Sequence, residues 1–112
     1  MSNPSQTDRK SAVLSLGKQV IGGADALDFS MELRTITERN VPNVIVDMSS
    51  VELINSSGLG MLVSGHSTMK KSGGTLKLAA VPDKVRQLLE MTHLDTVLTS
   101  YPTIQEAEES CK

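Results

Sequence analysis

The sequence predicts an α/β domain: a mixed, largely parallel central sheet of roughly four or five strands with about four helices. Three observations carry that expectation. Short apolar runs with a period of two, or with continuous β-branched character as in Val44-Ile45-Val46, recur along the chain. Between them lie segments whose apolar residues are spaced three and four apart, the signature of one buried helical face. Gly, Pro and Asn clusters mark most changes of period. A chain of 112 residues has room for one core of useful size and not for two.

Residues 1–10 (MSNPSQTDRK) are polar and aperiodic, the expected flexible leader to a single domain over residues 11–112. Ala12, Leu14 and Leu16 recur at every second position, a half-buried strand pattern. Gly17 interrupts it, and Val20-Ile21 ahead of Gly22-Gly23 suggests a second short strand that completes a hairpin. From Asp25 the period changes, with Ala26, Phe29, Leu33 and Ile36 on one helical face and Glu32, Arg34, Glu38 and Arg39 on the wet side. Asn40 and Pro42 end that helix. Asn43–Met48 reads as a strand covered by helices, and Ser49–Ser57 as a polar loop. Leu59, Leu62, Val63, His66 and Met69 then trace a second helix, stopped by Gly73-Gly74. Thr75–Ala79 alternates as a strand, and Pro82 opens a third helix carrying Val85, Leu88 and Leu89. Thr96–Tyr101 reads as the last strand. Thr103 and Glu106 have capping-box spacing at the start of a final helix, with Ile104, Ala107 and Cys111 as its apolar stripe.

Composition excludes several classes of function. Eleven Lys+Arg against thirteen Asp+Glu give a net charge of −2, and no Lys/Arg run exists to neutralise a phosphate backbone. Phe29 and Tyr101 are too few for base stacking, so no direct nucleic-acid contact is expected. No apolar run approaches the roughly 20 residues of a membrane span, and residues 1–10 lack the apolar region of a secretory signal. The single cysteine, Cys111, cannot close an internal disulfide, which leaves a cytoplasmic location as the expectation. His66 and His93 lie apart from each other and from any Cys pair, without metal-ligand spacing; His66 falls on an apolar helical stripe and His93 in a loop. Neither Gly22-Gly23 nor Gly73-Gly74 fits a phosphate cradle, and the carboxylates form no acid/base couple. No catalytic residue, metal or cofactor is therefore expected, and a small hydrolase is disfavoured. Asp47, ending a strand, invites comparison with a phospho-aspartate receiver, but Leu14-Ser15-Leu16-Gly17 lacks the acidic pair such a site needs for magnesium. A loop-capping role for Asp47 is expected instead.

The informative segment is Ile54-Asn55-Ser56-Ser57-Gly58-Leu59-Gly60. It sets two hydroxyls at a helix N-terminus, where unpaired N–H groups and the helix dipole favour negative charge. A phosphoserine there would add a charge of about −1.5 to −2 without opposing the fold. Ser56 or Ser57 could instead serve only as an N-cap. Gly58 and Gly60, lacking side chains, would let another protein's backbone approach.

The segment Asn55–Gly60, preceded by Val44–Asp47 and followed by Lys71-Ser72-Gly73-Gly74, resembles the STAS-domain anti-sigma factor antagonists of bacteria. The similarity continues through Leu78–Val81 and Val85–Leu94 and covers nearly the whole chain from about Ser11. The resemblance implies the STAS fold and a phospho-switch. In that family the unphosphorylated protein binds an anti-sigma factor with serine kinase activity and so frees a sigma factor. ATP-dependent phosphorylation switches it off, and a PP2C-type phosphatase restores it. Carried over by position, Ser57 is the phosphate acceptor, and Asn55, Ser56, Gly58, Leu59 and Gly60 form the partner-binding surface. The family usually has aspartate before the two serines, where this chain has Asn55. The alternative function is a constitutive STAS interaction module in a stress-signalling scaffold or a lipid or anion transporter complex.

Overall fold

In the computed structural model, residues 10–111 are described; nearly all of the leader expected at residues 1–10 lies outside them. Strand β1 (Ser11–Ser15) buries Leu14 and leaves Val13 on the open face. Gln19–Val20 forms β2, and helix α1 covers Ala24–Glu38. Phe29 and Leu33 are its buried stripe, with Ala26 and Ile36 packed beside them. Beyond its C-terminus Asn40 takes a left-handed φ of 62°, and Pro42 leads into β3 (Asn43–Asp47). Then come β4 (Leu53–Ile54), α2 (Ser56–Lys71), β5 (Thr75–Ala79), α3 (Asp83–Met91), a 3₁₀ turn (Leu94–Thr96), β6 (Ser100–Tyr101) and α4 (Ile104–Glu109).

The main sheet has the order β1-β3-β5-β6, and every ladder among the described residues is parallel. Val44 and Val46 of β3, with Leu76 and Leu78 of β5, point into the larger core beneath α1, α2 and α3, where Leu62, Met69, Val85 and Leu89 also lie. Ile45 and Ala79 face the other way, onto Ala107 of α4 with Tyr101 and Ile104 at the margin. A strand buried on both faces must be apolar at consecutive positions, which is why Val44-Ile45-Val46 does not alternate.

The hairpin expected from β1 and β2 does not form. β1 pairs with β3 along its whole length, Ser11↔Asn43 through Ser15↔Asp47, while β2 pairs in parallel with β4 in a separate two-stranded sheet. A two-residue partner could satisfy only part of the edge of β1, and β3 satisfies all of it. The last strand is also shorter than Thr96–Tyr101. Thr96 belongs to the 3₁₀ turn, and Leu98 is spent on the core, its N–H donating to the Leu94 carbonyl at 2.8 Å. β4 falls inside the segment read as a polar loop, because two residues are too short to show a period.

The remaining joints follow from local chemistry. Thr103 Oγ1 accepts from the Glu106 N–H at 3.1 Å, capping α4. Asp47 Oδ1 accepts from the Ser49 N–H at 3.0 Å and its Oδ2 from the Ser15 hydroxyl at 3.3 Å, so the carboxylate braces the loop after β3.

Candidate functional site

Helix α2 begins where β2 and β4 present their C-terminal ends, and that junction shapes the serine segment. The N-cap is Asn55, with extended backbone (φ −115°, ψ −176°) and its Oδ1 accepting from the Gly58 N–H at 2.8 Å. Its Nδ2 donates to the Ile21 carbonyl at 3.3 Å. The capping role considered for Ser56 or Ser57 is thus taken by the residue before them. An amide reaches the third N–H of the helix as well as a hydroxyl does, and it arrives first along the chain.

Both serines are consequently left free. They are exposed, and among the described residues their hydroxyls and backbone N–H groups find no hydrogen-bond partner. The first turn of α2 carries no acidic side chain, while Lys70 and Lys71 occupy its last turn, so the helix opens electropositive and closes with compensating cations. Ser57 stands at the mouth of a cleft of about 300 Å³ between α1 and α2, whose rim includes Gly22, Gly23, Ser30, Gly60 and Ser64. Gly22 has φ +87°, and a Cβ built on it would lie 2.9 Å from Ser57 Cβ but 3.8 Å from Ser57 Oγ. The hydroxyl therefore projects past Gly22 rather than toward it.

The other motif residues divide into two groups. Asn55, Ser56 and Gly60 are exposed, and a Cβ on Gly60 would meet nothing within 4 Å. Gly58 is buried where a Cβ would run into the Val20 carbonyl, and Leu59 is 7% exposed in the core. Gly58 thus serves contact between α2 and β2, and Gly60 is the glycine that leaves open surface. Around them Ile21 (44% exposed) and Leu53 (52%) add apolar area where β2 and β4 end, and Leu27 and Met31 form an exposed ridge on α1. Sequence reading missed Ile21, Gly22 and Leu53, because it took Gly22-Gly23 as the end of a hairpin strand. The one available signal was that Gly22-Gly23 stands directly before a helical period.

His66 is half-buried on α2, with Nδ1 shielded and without a partner among the described residues. His93 adopts a left-handed φ of 61° between α3 and the 3₁₀ turn. No helix among the described residues is long and apolar enough to cross a membrane.

A STAS domain family model matches residues 6–107. A protein of Thermotoga maritima provisionally named an anti-sigma factor antagonist is 35% identical over 69 residues, which is 62% of this chain and 61% of that protein. The chain therefore spans about three-fifths of that relative's length. A crystal structure from Thermotoga maritima under the same provisional name aligns with a TM-score of 0.78 and 26% identity, over 91% of this chain and 87% of that one. Two further structures share the fold at lower identity. A sulfate transporter family protein from Wolinella succinogenes gives a TM-score of 0.80 at 19% identity, over 91% of this chain and 84% of that one. The phosphorylated form of the Bacillus cell fate determinant SpoIIAA gives 0.70 at 15%, over 93% of each.

Proposed function

Because the chain belongs to the STAS domain family, we propose that it acts as an anti-sigma factor antagonist switched by phosphorylation of Ser57. Unphosphorylated, it binds an anti-sigma factor that is also a serine kinase, and so releases a sigma factor. Phosphotransfer to Ser57 ends that binding, and a PP2C-type phosphatase restores it. The observation that carries this reading is the free, exposed Ser57 hydroxyl at the N-terminus of α2, which Asn55 relieves of any capping duty. Exposed Asn55, Ser56 and Gly60 supply the surface around it, and Gly58 and Leu59 set that surface's position from beneath.

The physical logic separates folding from binding. A phosphate on Ser57 faces two unpaired N–H groups and the positive end of a helix, an arrangement favourable by about 0.3–1 kcal/mol. Burying the same dianion in a protein contact costs several kcal/mol unless cations receive it. A loss of about 4 kcal/mol lowers affinity roughly a thousandfold. The modification then releases the partner without unfolding the domain.

The test is incubation of the purified protein with the kinase-type partner and ATP, followed by mass spectrometry. A single phosphate on Ser57 is expected, with Ser57→Ala remaining bound and Ser57→Asp binding poorly. Phosphate on another residue, or on none, overturns the reading. The sulfate transporter family likeness supports a second reading, a constitutive interaction module. Recovery of a transporter component rather than a kinase from affinity purification, together with an unmodified Ser57, would favour it.

A further inference from the structure

Ile21 is held on both sides. Its N–H donates to Asp25 Oδ2 at 3.2 Å, from the first turn of α1, and its carbonyl accepts from Asn55 Nδ2 at 3.3 Å, from the start of α2. Asn55 Oδ1 meanwhile holds the Gly58 N–H at 2.8 Å, and the Asn55 N–H donates to the Val20 carbonyl at 3.3 Å. These bonds form one chain from α1 through the Ile21–Gly23 loop into α2. The residue after the clamped Ile21 is Gly22, on which a Cβ would lie 2.9 Å from Ser57 Cβ.

We propose that Asn55 is a positioning residue for Ser57: its amide latches the Ile21–Gly23 loop onto α2, so that Gly22 closes one side of Ser57 and the hydroxyl stays aimed at the cleft mouth. The role depends on the amide. Oδ1 alone would suffice for capping, and aspartate or serine caps a helix about as well as asparagine. Only the Nδ2 donor engages Ile21, and a carboxylate would set negative charge against that carbonyl. A neutral side chain also adds no charge beside a phosphate on the same turn. The departure from the family's usual aspartate is thus a change in what holds the loop. The proposal rests on Ser57 being the modified residue, but the latch itself is measurable without any partner.

The experiment compares the full chain with Asn55→Asp and Asn55→Ser by NMR and thermal melting. Both variants keep a cap for Gly58 and lose the amide Nδ2 that reaches the Ile21 carbonyl. Both should melt within a few degrees of the parent and exchange the Ile21 and Asn55 amides, which donate to Asp25 and to the Val20 carbonyl, about tenfold faster, the equivalent of one lost hydrogen bond. The Hα–Hβ couplings of Ser57 should move from one rotamer to an average. With the kinase-type partner, kcat for phosphotransfer should fall about tenfold while KM changes less than about threefold. Unchanged exchange and couplings overturn the latch. A change confined to Asn55→Asp assigns the effect to charge and overturns the amide's role. A loosened loop in both variants, with no phosphorylation of the parent, upholds the latch and overturns the switch reading of Ser57.

Discussion

Replacing Gly58 and Gly60 by alanine, one at a time, tests whether the start of α2 is built as described. At Gly60 the new methyl meets nothing within 4 Å, so Gly60→Ala should gain the helix propensity of alanine, about 1 kcal/mol. At Gly58 the methyl would run into the Val20 carbonyl and lie 2.9 Å from Ile54 Cγ1. The Ile54 side chain can turn aside, but the carbonyl belongs to β2 and already accepts the Asn55 N–H at 3.3 Å. Moving it loosens the β2–β4 pairing and the N-cap together. Overpacking costs about 1–3 kcal/mol, and a backbone obstacle puts this case at the upper end. Subtracting the propensity gain leaves a net loss of about 2 kcal/mol. For a domain near 100 residues that is a fall in Tm of roughly 8 °C, against a rise of about 4 °C for Gly60→Ala. Thermal and urea unfolding of both variants provide the measurement. If Gly58→Ala is as stable as the parent, the close seat of α2 on β2 is refuted, and with it the placement of Ser57. Gly60→Ala should nevertheless weaken capture by the proposed anti-sigma partner, because its methyl lies on the exposed side of α2.

Other outcomes follow from the same structure. Phosphorylated protein, separated from unmodified protein by ion exchange, should have a Tm equal to or slightly above the parent's, since the added charge meets the positive end of α2. A drop of 5 °C or more would contradict the unpaired N–H groups of Ser56 and Ser57. Thr103→Ala should cost about 1 kcal/mol in urea unfolding through loss of the cap on α4, with partner binding unaltered because α4 lies on the opposite face of the sheet. Leu62→Ala, in a side chain that is 0% exposed, should cost about 2–5 kcal/mol, read from the shift in the denaturant midpoint.

Much of the fold was legible because burial leaves a local trace. Phe29 and Leu33, Leu62 and Met69, and Val85 and Leu89 repeat at helical spacing, and the same residues line the larger core. The unbroken Val44-Ile45-Val46 announced a strand covered by helices on at least one face, and the structure covers both, with α4 on one side and the other helices on the other. The serine segment was legible as well, through its place after that strand and before a helical period. What stayed hidden shares one property. The pairing of β1 with β3 instead of β2, the two-residue strand β4, and the contact of Gly22 with Ser57 all join residues about 30 or more apart, or elements too short to repeat.

The order of elements, the apolar stripes and the position of the serines are written in the spacing of neighbours along the chain and need no tertiary contact to be read. Tertiary structure decided which strand each edge met, which of residues 55–57 capped α2, and which glycine was filled and which left open. Asn55 shows why: its bond to Gly58 spans three residues and its bond to Ile21 spans 34. Only folding brings the second pair within reach, and that pair sets the surroundings of the Ser57 hydroxyl.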